Sequence, residues 1–162
     1  GDSNIASISG TIIAIGGVAS AIASGSMGFL INRYSHKQIM LVASLLGSIS
    51  FLGQMAANDI ATLGIMRFLN GLCIGAMIPS SNTIITYLIP ETKRGAAFGI
   101  TSTFALMGNV SGPITAGFLT LAYGFQSIFW VTALFFLLIA FLLLTRIKDH
   151  YAAVEEEENM AV

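Results

Sequence analysis

Charged residues are scarce in this chain of 162 residues and make up only 9% of it. An average soluble domain contains roughly 25% charged residues. With 55% hydrophobic residues and a mean hydropathy of +0.83, the chain would expose a large apolar surface in water. These values exclude an ordinary soluble domain and predict an integral membrane protein.

Several other classes of protein are excluded by what is missing. Cys73 is the single cysteine, which rules out an intrachain disulfide, a cysteine-based zinc cluster and a redox pair. The net charge of −1 provides no basic surface for nucleic acid. The sequence contains no Gly-x-x-x-x-Gly-Lys phosphate loop and no nucleophile–base pair. We therefore expect neither an enzyme nor a protein with a cofactor or a metal.

Five long apolar segments fill most of the sequence, and each is long enough to span a bilayer. Backbone groups find no water in lipid, so these segments must be helices. The predicted class is all-α integral membrane, with a bundle over 1–148 and helices near 5–31, 38–56, 60–89, 95–122 and 127–145. Residues 149–162 contain four consecutive glutamates and predict a disordered acidic tail in the cytoplasm, with a binding tail as the alternative.

Basic residues near the predicted helix ends indicate the orientation in the membrane. They fall in the first loop, in the third loop and after the last helix, whereas the second and fourth loops have none. Because Lys and Arg accumulate on the cytoplasmic side, we expect the first residue outside and the last residue in the cytoplasm. The six residues are Arg33, Lys37, Lys93, Arg94, Arg146 and Lys148.

The third segment contains the one charge that lies inside any predicted span, Arg67. A charge within a membrane is costly and marks either a transport pathway or a buried pairing. No predicted span contains Asp, Glu or His, so its partner must be a backbone carbonyl, an amide such as Asn70, or a carboxylate elsewhere. Substrate or proton-relay electrostatics and a structural anchor both remain open for Arg67.

A set of polar and flexible side chains could line a cavity, because an unpaired amide facing lipid is costly and Met adapts to varied shapes. Interhelical hydrogen bonding and ordinary packing are the alternatives. The cavity or relay candidates are Arg67, Asn70, Asn82, Phe104, Met107 and Asn109.

Small residues suggest which helices pack closely. The first and fourth segments are rich in Gly, which predicts close helix contacts, and the bulkier second and fifth predict lipid-facing helices. This alternation suggests a three-helix repeat with one helix missing before Gly1. Pro113 should kink the fourth helix. His36 and His150 are expected on the surface at the cytoplasmic edge.

Three motifs resemble those of the major facilitator superfamily, in the same order and on the same elements. The segment GFLINRYSHKQIM (28–40) resembles the loop motif G-x-L-a-D-r-x-G-r-k-x-x-l, with Asn32 in place of the Asp. Arg67, Asn70 and Gly71 resemble l-x-R-x-x-q-G. GNVSGPITAG (108–117) resembles the antiporter motif g-x-x-x-G-P-x-x-G-G, with Ala116 in place of one Gly.

The resemblance covers residues of roughly 5–145 and about half of such a transporter. It implies helices eight to twelve of a twelve-helix protein of the plasma membrane, similar to bacterial drug:proton antiporters, which would export small amphipathic molecules by alternating access. It also implies two further sets of residues. The gating loop would contain Gly28, Asn32, Arg33 and Lys37, and a kinked helix at the interface with the missing half would contain Gly108, Gly112, Pro113 and Gly117.

Three partners follow from this interpretation, namely a small-molecule substrate, the lipid bilayer and the missing half of the transporter. If a proton is also a partner, the titrating group lies before Gly1. The alternatives are an importer of sugars or other metabolites in the same superfamily and a membrane scaffold that does not transport.

Overall fold

The computed structural model describes residues 2–146, with side chains described for 10–145, and contains five long α-helices. All five are long and apolar enough to cross a membrane, and the described range contains no strand. This confirms the predicted all-α membrane class; the acidic tail at 149–162 lies outside the described residues. The helices are α1 (Asp2–Ile31), α2 (His36–Ala56), α3 (Ile60–Leu88), α4 (Glu91–Tyr123) and α5 (Gln126–Arg146).

Side-chain caps fix the start of two helices. The amide of Gln38 donates to Ser35 Oγ at 3.3 Å, and the Ser35 amide donates back to Gln38 Oε1 at 3.2 Å. This capping box satisfies two amides that a helix start leaves without partners. At the start of α3, the Thr62 amide donates to Asp59 Oδ1 at 2.6 Å and the Thr62 hydroxyl donates to Oδ2 at 2.8 Å.

The fourth helix begins at Glu91, four residues before the predicted start. Charges mark where a span leaves the apolar layer, but they do not stop a helix. Glu91 suits the first turn because its charge complements the helix dipole, and it pairs with Arg94 at 3.2 Å. Arg94 Nε also donates to the carbonyls of Thr86 at 3.1 Å and Ile89 at 3.3 Å, which ties α4 to the end of α3.

The helices form a row in which α3 packs between α1 and α2, and α2 packs between α3 and α5. The fourth helix makes only slight contact with α3 and α5, and none of its residues is buried. The expectation that the second helix faces lipid holds for one face only, because Val42, Leu45, Leu46 and Ile49 are exposed whereas the sides toward α3 and α5 are covered. Its small serines allow this close packing, and Ser44, Ser48 and Ser50 are fully or almost fully buried.

Serine hydroxyls link the packed helices. Ser24 Oγ donates to the Gly75 carbonyl at 2.8 Å, joining α1 to α3. Ser50 Oγ donates to the Met66 carbonyl at 2.5 Å, joining α2 to α3, and Ser48 Oγ donates to the carbonyl of Ala133 in α5 at 3.1 Å. Small polar residues that bond across helices are typical of membrane bundles, where apolar burial between helices provides little driving force.

The first and third helices approach most closely at two glycines of α3. A Cβ added to Gly71 would overlap the Gly16 carbonyl oxygen and lie 2.9 Å from Ala19 Cβ. A Cβ added to Gly75 would lie 2.7 Å from Ser20 Cα. No side chain fits at either position, so Gly71 and Gly75, four residues apart, set the distance between α1 and α3.

We expect Gly71→Ala to destabilise the bundle by about 1–3 kcal/mol, because the added methyl group pushes α1 away. The matched control is Gly64→Ala on the same helix, where an added Cβ would lie 3.8 Å from the nearest atom, Ile15 Cδ1. That control should be neutral or slightly stabilising, since Ala favours helix over Gly. Unfolding of the purified protein in detergent measures both changes, and equal effects at the two positions would contradict the role of Gly71.

The cap of α3 predicts a specific acid sensitivity. The backbone amide and then the hydroxyl of Thr62 lower the pKa of Asp59 below its usual value of 3.8. Because the pKa is lower in the folded state, ionisation of this carboxyl stabilises the fold fully at pH values above its pKa in the unfolded state. This contribution is lost as the pH falls through its pKa in the folded state. The variant Asp59→Asn does not titrate and should lose less thermal stability than the wild type between pH 7 and pH 3. Equal losses would show that this cap does not contribute.

Candidate functional site

Arg67 lies about two turns into α3 and is half-buried. A Cβ added to Gly16 of α1 would lie 3.5 Å from Arg67 Cγ, which is an ordinary van der Waals distance, so the arginine stem lies beside this part of α1. Among the residues with described side chains, none forms a hydrogen bond or an ion pair with the guanidinium; in particular, Asn70 does not pair with it. Arg67 instead borders two clefts, one on each side of its side chain.

The first of these, the outer cleft, has a volume of about 520 Å³ and lies at the end of the bundle that carries the loops 57–59 and 124–125. Arg67 is the one charged residue among those that line it, and Gln54 and Gln126 each provide an amide. Gln54 is 4% exposed, and its Nε2 has no hydrogen-bond partner. Phe51, Phe125 and Phe129 form an aromatic wall.

The second, the inner cleft, has a volume of about 440 Å³ and lies where α1, α2 and α3 meet. It shares Arg67 and Phe51 with the outer cleft and adds Asn70, Gly71 and Ser20. Asn70 is only 3% exposed, and its Nδ2 has no partner. A buried amide without a partner costs free energy, and the Gln54 and Asn70 amides are two such donors at the edges of the clefts.

The register of α2 and α3 places these two amides on opposite sides of Arg67. The hydrogen bond from Ser50 to the Met66 carbonyl puts those residues at one level of the antiparallel pair. Gln54 lies four residues beyond Ser50, and Asn70 lies four beyond Met66 in the opposite direction. At 1.5 Å per residue, the amides are about 12 Å apart along the bundle, with Arg67 between them. One small ligand cannot reach both.

A third cleft, with a volume of about 600 Å³, lies between α2, α3, α4 and α5 toward the other end of the bundle. Asn82, a sequence candidate, lines it together with Met77. The sequence analysis did not identify the contribution of α4, which is Phe98, Thr101, Ser102 and Ala105. Their spacing of three and four residues is the signal that places them on one helix face.

The remaining candidates on α4 lie elsewhere. Phe104 is 70% exposed and Met107 is 61% exposed, and Asn109 is exposed as well; none lines the three clefts. A Cβ added at any of the motif glycines would meet no atom within 4 Å. The motif segment of α4, including Pro113, is exposed apart from the half-buried Ala116. The glycines concerned are Gly108, Gly112 and Gly117.

The predicted gating loop is at the end of the bundle opposite the outer cleft. Gly28, Asn32 and Arg33 are exposed, and Lys37 is half-buried in the first turn of α2. Next to it, His36 is buried at 7% exposure, with its ring 6.4 Å from that of Tyr87. The expectation that His36 lies on the surface was wrong, because the end of α3 covers the start of α2.

Comparison with known proteins identifies the family. Residues 4–160 match the family model of the Major Facilitator Superfamily. The chain is 32% identical over 131 residues to multidrug resistance protein MdtG of Rahnella sp. (strain Y9602), covering 81% of this chain and 32% of the relative. It is 29% identical over 158 residues to the multi-drug resistance efflux pump PmrA of Streptococcus pneumoniae serotype 4, covering 98% of this chain and 39% of that pump.

The chain thus spans about a third of the length of these relatives. The match to the family model extends over nearly all of it, including the three motif segments at 28–40, 67–71 and 108–117. Five apolar helices of spanning length agree with the architecture that the motifs imply. The chain belongs to the major facilitator superfamily.

Proposed function

We propose that this chain is part of a secondary active transporter that exports small amphipathic molecules from the cell by alternating access. The observation that carries the proposal is the similarity to efflux proteins along almost the whole chain. The clefts support it, because they combine apolar walls with a few polar groups, as sites for small molecules do. In this proposal the transporter lies in the plasma membrane, with the outer cleft facing outward and the gating loop in the cytoplasm.

The exposed face of α4 supports a second part of the proposal, namely that the rest of the transporter packs against it. Gly108, Gly112 and Gly117 leave the backbone of this face open, and small residues at such spacing allow close helix contacts. The relatives are about two and a half times as long as this chain, which is long enough to supply the partner helices. Helices eight to twelve of a twelve-helix protein would account for this arrangement.

Proton coupling is proposed through residues outside this chain. A proton-driven antiporter needs a group that changes its charge inside the pathway, most often a buried carboxylate. The predicted spans contain no Asp, Glu or His. In this proposal Arg67 acts through its positive charge beside the pathway.

The test of the proposed function uses the complete transporter in proteoliposomes. We expect an imposed proton gradient to drive accumulation of a lipophilic fluorescent dye in the direction of export, and a proton ionophore to abolish it. Transport that survives collapse of the gradient would rule out proton coupling. Movement of a sugar with the gradient, and of no dye, would favour the importer instead.

The proposed interface on α4 predicts that Gly112→Leu reduces transport at least about tenfold, because an isobutyl group separates helices that meet at bare backbone. The matched control is Gly95→Leu, which is equally exposed on α4 but lies near its first turn, away from the motif segment. Both variants should reach the membrane at the wild-type level, as measured by immunoblotting. Equal transport in the two variants would remove the motif segment from the interface.

A further inference from the structure

The outer cleft is bordered by one cation, Arg67, and by the amides of Gln54 and Gln126. A guanidinium has five N–H donors and no acceptor, and among the described side chains nothing accepts from Arg67. Gln54 Nε2 lacks a partner as well, but it has no surface open to the cleft. A guanidinium that borders a cavity without an acceptor predicts an anionic group as the one that completes the cleft.

The walls of the outer cleft restrict the remainder of such a ligand. The rings of Phe125 and Phe129 are 5.5 Å apart and nearly perpendicular, and Phe51 faces the cleft from α2. Met55 and Leu63 add further apolar surface. The volume of about 520 Å³ lies within the range of about 300–1,000 Å³ for small-molecule sites. The ligand is therefore an anion with an apolar, aromatic-sized body.

The charge of the outer cleft determines which kind of anion it can bind. Arg67 is the single charged residue that lines the outer cleft, so it balances one negative charge and no more. A phosphate would bring up to two negative charges into an apolar site and would leave one without a partner. A carboxylate carries one charge, and its two oxygens match the parallel donors of a guanidinium.

Building on the proposed function, we propose that the outer cleft binds amphipathic aromatic carboxylates as transported substrates. The Arg67 guanidinium donates to the carboxylate, and the three phenylalanines contact the apolar body. Asn70 faces the inner cleft on the opposite side of Arg67, so it is not part of this site. A cationic substrate would be repelled from this cleft and would use another part of the transporter.

The test compares 2-naphthoate with 2-naphthamide, which has the same ring system and nearly the same size but no charge. Binding of each radiolabelled compound to the complete transporter in nanodiscs is measured at equilibrium. We expect 2-naphthoate to bind at least about tenfold more tightly, the effect of one charge-assisted hydrogen-bonded pair. Equal affinity for the two compounds would overturn the proposal.

Variants of the transporter test whether Arg67 causes the preference for 2-naphthoate. Arg67→Gln should abolish the preference for 2-naphthoate, and Arg67→Lys should restore part of it. The control Lys93→Gln removes an exposed cation at the other end of the bundle and should change nothing. A preference that survives in Arg67→Gln would contradict the assignment.

Two further outcomes distinguish failure of this inference from failure of the proposed function. If neither compound binds while the transporter still exports dye, the acceptor for Arg67 is a carboxylate of the transporter itself; the inference then fails, and the proposed function stands. If 2-naphthoate is preferred but no compound is moved by a proton gradient, the site exists and proton-driven export fails.

Discussion

The close approach of α1 and α3 at Gly71 and Gly75 is the constraint on which the rest of the bundle depends. Bare backbone meets bare backbone there, and a single added methyl group at Gly71 would overlap the carbonyl of Gly16. The hydrogen bond from Ser24 Oγ to the Gly75 carbonyl lies in the same interface. Apolar burial adds little between helices in lipid, so contact at this distance and its hydrogen bonds hold the pair together.

The same approach explains how an arginine is tolerated inside the bundle. Gly71 lies one turn after Arg67, and Gly16 lies directly against the arginine stem. The stem of Arg67 therefore lies beside α1, and its side chain borders both the outer and the inner cleft. A tighter core would have had to exclude the charge or to pair it. The structure instead leaves Arg67 and two buried amides, Gln54 and Asn70, with unused donors.

The sequence predicted the number of helices, their class and most boundaries, because apolar length and local caps such as Ser35 and Asp59 determine these. It also identified Arg67, Asn70 and Asn82, whose chemistry is unusual in a membrane. It did not single out Gln54, which lies near the end of a predicted span. Burial of α2 and of His36 was missed because composition does not show which helices are neighbours.

The fourth helix shows the limit of composition most clearly, since glycine-rich stretches on α1 and α4 look alike but have different surroundings. The third helix provides the matching glycines for α1, whereas a Cβ added to Gly108, Gly112 or Gly117 of α4 would meet no atom within 4 Å. Glycine thus indicates that a close contact is possible but does not identify the partner. A stripe of backbone that faces lipid contributes little packing energy until another helix covers it. Coverage of α4 by the rest of the transporter would complete the walls of the third cleft, which α4 already borders through Phe98 and Ser102.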